Sequence, residues 1–177
     1  DIIYEKGNEA TASVGYDSCE RLYDSLVQYY GKDPKLHLPV VITSQFKVLN
    51  AYYTNYVANH IVLFDTVSPV GELSNYPSTI EYVFKHELTH AFQFNLRGKA
   101  VQVLSDIFGD VVSVSPLLYM YPSMSEGGAV VSESLDGYGR LNDSYAMQIV
   151  KQAKIEGMFP QWIDVSGARD TYPSGQL

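Results

Sequence analysis

The stretch Ser78–Gly98, STIEYVFKHELTHAFQFNLRG, decides how this chain is read. Ser78 followed three residues later by Glu81 is a capping-box pattern, in which the serine oxygen accepts a backbone N–H and the acid complements the positive end of a helix. Behind it Ile80, Val83, Phe84, Leu88, Ala91 and Asn95 lie at helical spacing, and Arg97 with Gly98 reads as a cationic last turn and a glycine stop. The spacing therefore predicts one helix from Ser78 to Gly98. Its middle carries His86, Glu87 and His90.

Working outward, Cys19, Leu22, Tyr23, Leu26, Val27 and Tyr30 recur at helical spacing between Ala10 and Tyr30, with Gly31 and Pro34 as a stop. Leu36–Thr43 and Asn59–Phe64 are short, apolar and partly β-branched, and read as strands of a small sheet ahead of the central helix. Pro69–Pro77 is a loop by its Gly, Asn and Pro content. Downstream, Lys99–Phe108 reads as a helix closed by Gly109, a loop holds Pro116 and Pro122, and helical patterning resumes at SEGGAVVSES, with Ser123 and Glu126 as a possible cap. Asn142 or Asp143 caps a last helix ending at Gly157. The tail from Phe159 reads as loop until Pro173, which can open a further helix. The expected class is α+β, a small N-terminal sheet packed on the central helix and a mostly helical second half, as one domain over residues 1–177.

Composition bounds what such a domain does. Hydrophobic residues make up 46% and charged residues 18% of the 177, enough apolar surface to bury a core and too little charge for disorder. A formal net charge of −8 repels phosphate backbones, so nucleic acid is not an expected partner. Cys19 is the single cysteine, which rules out an internal disulfide and a cysteine-based metal site. Asp106, Asp110 and Pro116 interrupt the apolar stretch Val101–Met120, so it falls short of the ~18 uninterrupted apolar residues a membrane span needs. The chain opens at Asp1 without an initiator methionine, and the expectation is a fragment of a longer protein.

On a helix, residues four apart share a face, so His86 and His90 can present two imidazoles to one ion while Glu87 lies beside a water held there. Two histidines leave a catalytic zinc one protein ligand short. A third histidine in an extended HExxHxxGxxH pattern is excluded, because Gln93 stands where glycine would be and Leu96 where histidine would be. A carboxylate from a second helix remains, and Glu126 is the best-placed candidate, its competing role being that of a helix cap. Glu133, one heptad later, is placed to orient a ligand histidine from behind, or is an exposed helix charge.

Two segments together resemble the gluzincins, the zinc-peptidase group that includes thermolysin and the aminopeptidase N family. HELTHAFQ is similar to their active-site helix, and SEGGAVVSES to their EGxA segment with a second acid seven residues on. Within that group the chain looks closest to the compact bacterial branch called peptidase MA-like. The resemblance implies a thermolysin-like catalytic domain, one zinc ion on His86, His90 and Glu126, and Glu87 as general base for hydrolysis of a peptide or protein substrate. It also implies a bacterial extracytoplasmic or secreted setting. Tyr172 and Gly175 in YPSGQL are similar to the YxxG segment whose tyrosine stabilises the oxyanion in aminopeptidase N relatives. The segment those aminopeptidases use to hold a free amino terminus has no counterpart here, so an endopeptidase is expected. Where thermolysin carries an aspartate four residues after its glutamate this chain has Val130, and Glu133 is expected to substitute.

An extended substrate is expected to add along an exposed strand, with Asn59, His60 and Ile61 as the substrate-binding positions. Two other readings stand beside peptide hydrolysis. One is a binding module that keeps the metalloprotease scaffold without cleaving, and the other is a zinc hydrolase acting on a non-peptide bond such as an ester or epoxide.

Overall fold

The computed structural model describes residues 1–47, 49–56, 58–66, 78–109, 112 and 122–161. Within them lie β1 (Ile2–Tyr4), α1 (Glu9–Tyr30), β2 (Val40–Thr43), β3 (Ala51–Thr54), β4 (His60–Phe64), α2 (Thr79–Asn95), α3 (Lys99–Phe108), α4 (Pro122–Glu133), a 3-10 turn (Arg140–Asn142) and α5 (Ser144–Ile155). The expected α+β class is observed. The loop over Pro69–Pro77, Pro116, the Pro173 helix and Tyr172 lie outside the described residues.

The sheet is mixed, in the order β1-β2-β4-β3, with β1, β2 and β4 parallel and β3 antiparallel to β4. Two of these strands were not expected. β1 is three residues long, too short to show alternation, and exists because Ile2 to Tyr4 pair with Val40 to Ile42. β3 lies in the aromatic stretch before β4 and pairs Tyr52 with Val62 and Tyr53 with Ile61. β2 is also shorter than the expected Leu36–Thr43, since Pro39 lacks the N–H a ladder would use.

β4 departs from expectation in a way that matters for function. The strand of Asn59, His60 and Ile61 is not an exposed edge: β4 is bonded to β2 on one side and β3 on the other. Its run Ile61, Val62 and Leu63 is buried at all three positions, as in a strand covered on both faces. Ile61 is wholly inaccessible, Asn59 bonds Tyr53 and Asn95, and His60 Nδ1 lies 2.9 Å from the Ala58 carbonyl. None of the three therefore lies on a free sheet edge, where the expected strand addition would take place. Among the described residues the sheet's free edges belong to β1 and β3.

α1 and α2 pack on each other and on the sheet, and their apolar stripes meet in the core. Leu26, Ile42, Ile61, Leu63, Ala91 and Phe92 are fully buried there, and Phe92 lies between the rings of Tyr23 and Tyr30 at centroid distances of 5.0 and 5.8 Å. Burying side chains of this size contributes about 1.5–3 kcal/mol each, which fixes the depth at which α2 lies. Cys19 is partly buried against this core.

The ends of α2 show which local signals hold. Ser78 Oγ accepts from Glu81 N at 3.3 Å, as the capping pattern predicts, and the Glu81 carboxylate pairs with Arg21 of α1. The C-terminus differs from expectation. The helix stops at Asn95 with Leu96 as its cap, and Arg97 turns inward to Asn95 Oδ1 and Ser105 Oγ instead of to the last carbonyls. Gly98 begins α3 in an extended conformation and is no left-handed stop. Asp143 caps α5 through Ala146 N at 2.8 Å, and Gly157 follows it at φ 69°.

Candidate metal and active site

α2 and α4 pack side by side, and the residues facing one another across that contact form the site. His86 and His90, one turn apart on α2, are both buried with their ring centroids 4.8 Å apart. Their Nε2 atoms are separated by 3.2 Å. Glu126, in the second turn of α4, brings Oε2 to 3.2 Å from His86 Nε2 and Oε1 to 3.5 Å from His90 Nε2. The Glu126 carboxylate therefore faces the two histidines. Among the described residues these three form the group able to hold a metal ion.

The donor set, two imidazole nitrogens and a carboxylate, is of the kind that holds a divalent metal ion. A tetrahedral ion bound at about 2.0–2.1 Å sets its ligand atoms roughly 3.3 Å apart. The two Nε2 atoms are 3.2 Å apart, and each faces a different oxygen of the Glu126 carboxylate, at 3.2 and 3.5 Å; one ligand atom from each of the three residues lies within 4.8 Å of the others. Two imidazole nitrogens facing each other that closely require something positive between them, a proton or a metal ion.

Glu133, an expected outer partner, is entirely buried and bonds three groups. Its Oε2 lies 2.8 Å from His86 Nδ1, and its Oε1 accepts from Tyr82 Oη at 2.6 Å and from Arg140 Nε at 2.8 Å. Arg140 Nη2 also lies 3.1 Å from His86 Nδ1, but that nitrogen serves one neighbour at a time. The shorter contact, to a carboxylate, makes Nδ1–H the donor to Glu133 and leaves Nε2 aimed at Glu126. The reading of Glu133 as an exposed helix charge is thereby overturned.

Charges follow this arrangement. Burial pushes the His86 pKa down, yet hydrogen bonds donated to Glu126 and Glu133 outweigh it and raise it to about 9 in the metal-free protein. Hydrogen bonds to His86 and His90 hold the Glu126 carboxyl far below its usual range. Burial raises the Glu133 pKa, but His86 and Arg140 more than offset it and the net direction is down. Glu87 moves the other way: burial raises its pKa, against the lowering influence of His90, His86 and the Tyr53 N–H. That N–H, on the edge strand β3, donates to Glu87 Oε2 at 2.8 Å.

Several of these residues escaped the sequence reading. Tyr82 lies one turn before His86 on the same face, so helical spacing could have flagged it. Gln93 is three residues past His90, and its Oε1 lies 3.1 Å from His90 Nδ1. Arg140 carries no such signal, because a turn separates it from Glu133. Tyr53 contributes a backbone atom, which no side-chain motif marks.

No family model matches the chain, and no solved structure matches it. It is 29% identical over 178 residues to a protein of Treponema pallidum (strain Nichols) described as uncharacterized. That match covers 99% of this chain, which spans about 15% of the relative's length.

Proposed function

We propose that this chain is a zinc-dependent hydrolase of peptide bonds, an endopeptidase of the gluzincin type on a thermolysin-like catalytic domain. The observation that carries the reading is the convergence of His86 Nε2, His90 Nε2 and the Glu126 carboxylate, whose Oε2 lies 3.2 Å from the first ring and whose Oε1 lies 3.5 Å from the second, with the Glu87 carboxylate buried alongside. When bound, a zinc ion supplies Lewis acidity, polarising a carbonyl and lowering the pKa of water near it.

The chain's own residues account for the rest. Glu87, raised in pKa by burial and steadied by the Tyr53 N–H, takes a proton from the attacking water and returns it to the leaving amine. Glu133, locked by Tyr82 and Arg140, keeps His86 Nε2 directed inward. An extended substrate pairs along the free edge of β3, the strand that passes over Glu87, and not along β4. Tyr172 is retained as the candidate oxyanion donor on the strength of the YPSGQL resemblance.

The test combines metal analysis with one substitution. Purified protein should carry one zinc per chain, removable by a chelator. Glu87→Gln should hold the same zinc while losing hydrolysis of a mixed peptide library, because only the base has changed. Equal hydrolysis by the two proteins would sink the assignment of Glu87. Cleavage of small esters with peptides untouched would move the activity to another bond, and zinc without any hydrolysis would favour a binding module.

A further inference from the structure

We infer that Gln93 is a positioning residue that sets the tautomer of His90 and ties it to the helix carrying Glu126, an inference that rests on the metal-site reading above. Four contacts define the arrangement. Gln93 Nε2 donates to the Ser125 carbonyl at 3.0 Å, Ser125 Oγ donates to Gln93 Oε1 at 2.7 Å, and Gln93 Oε1 lies 3.1 Å from His90 Nδ1. Ser125 Oγ is itself 3.3 Å from that nitrogen. These bonds admit one orientation of the amide. The Ser125 carbonyl can only accept, so Nε2 must face it, and the carbonyl end of Gln93 is then turned to His90.

The consequence falls on the far side of the ring. An acceptor at Nδ1 draws the hydrogen there and leaves the Nε2 lone pair facing His86 Nε2 and Glu126. His86 receives the same instruction from a charged group, Glu133, whereas His90 receives it from a neutral amide. Gln93 also does what Glu133 does not. By donating to the Ser125 carbonyl and accepting from its hydroxyl, it fixes the backbone next to Glu126, so one side chain sets the spacing between a ligand on α2 and a ligand on α4.

Gly128 belongs to the same device. A Cβ at that position would come within 2.8 Å of Gln93 Nε2, so the amide reaches Ser125 only because α4 has no side chain there. Gly128 lies inside a helix, where alanine is the better helix former. Its presence is explained by room for Gln93 and not by a backbone turn.

The experiment uses the whole chain and two readouts. In metal-free protein, long-range proton–nitrogen NMR reads which ring nitrogens are protonated in each of the four histidines. His90 should be Nδ1–H in the parent and shift toward Nε2–H in Gln93→Leu, a change of similar volume. Zinc affinity, from competition with a chromophoric chelator, should fall about 10–100-fold. Gln93→Glu, which keeps an acceptor toward His90 but cannot donate to the Ser125 carbonyl, should restore the tautomer and only part of the affinity. Gly128→Ala should weaken zinc binding without lowering the unfolding midpoint, which separates displacement of the amide from loss of fold. A Gln93→Leu protein with an unchanged His90 tautomer and unchanged zinc affinity overturns the inference. A parent that shows the tautomer dependence but binds no zinc supports the positioning role and overturns the metal reading instead.

Discussion

Replacing Glu133 with glutamine removes one charge and keeps the outline of the side chain. In the native protein that carboxylate accepts from Tyr82 at 2.6 Å, from His86 at 2.8 Å and from Arg140 at 2.8 Å, and its side chain is wholly out of solvent. Donors approach both oxygens, so whichever end of the amide carries its NH2 group must leave at least one donor without an acceptor. A hydrogen bond to a charged group is worth about 1.5–3 kcal/mol. The Arg140 side chain is 37% exposed, and water takes up part of what it loses, which favours the lower end of that range. The expected cost is about 2 kcal/mol, or roughly 4–8 °C in Tm for a chain of this size. With His86 Nδ1 no longer held by a carboxylate, zinc affinity should fall about 10–100-fold. Urea unfolding of the metal-free protein measures the first quantity and chelator competition the second. Glu133→Gln with the parent's midpoint and the parent's zinc affinity would refute the reasoning, because it would mean that the buried acid neither anchors Arg140 nor orients the ring.

The pH dependence should run in two opposite directions. His86, raised to about 9 in the folded metal-free protein from an ordinary value of 6.5, binds its proton more tightly folded than unfolded. Its contribution to stability is therefore complete below about pH 6.5 and lost as pH rises through about 9, so the urea midpoint of the metal-free protein should fall across that window. Zinc needs the same Nε2 free of its proton, so affinity should rise about tenfold per pH unit up to about pH 9 and then level off. A flat affinity profile over that range would show that no proton is displaced. Phe92→Ala removes a fully buried ring held between Tyr23 and Tyr30 and should cost about 3–5 kcal/mol in the same unfolding assay.

The central helix was legible from local signals. Ser78 caps it as the Ser–Glu spacing predicts, and the stripe through Phe84, Leu88 and Ala91 faces the core. The His86 and His90 rings share a face because helical geometry requires it. The heptad between Glu126 and Glu133 likewise put both acids on the side of α4 that meets α2. Where the sequence misled, it was over ends and neighbours. Arg97 was read as a cation for the last turn, but a buried guanidinium needs partners and found them in Asn95 and Ser105.

Sheet order was the largest gap. Asn59–Phe64 reads as a strand from its own residues, but whether a strand is central or at an edge depends on which other segments pair with it. Here β1 and β3, with three and four residues, were too short to announce themselves. Helical periodicity and i, i+4 spacing are properties of contiguous residues, so the sequence by itself determined the faces of α2 and α4 that carry His86, His90 and Glu126 and the acid placed to back His86. Meeting those two faces, closing Arg140 onto Glu133, aiming Gln93 at His90 and laying Tyr53 over Glu87 join residues distant in the chain or fix side-chain rotamers through packing. Only the tertiary structure decided them, because their free energy comes from burial and hydrogen bonds that no local segment can make alone.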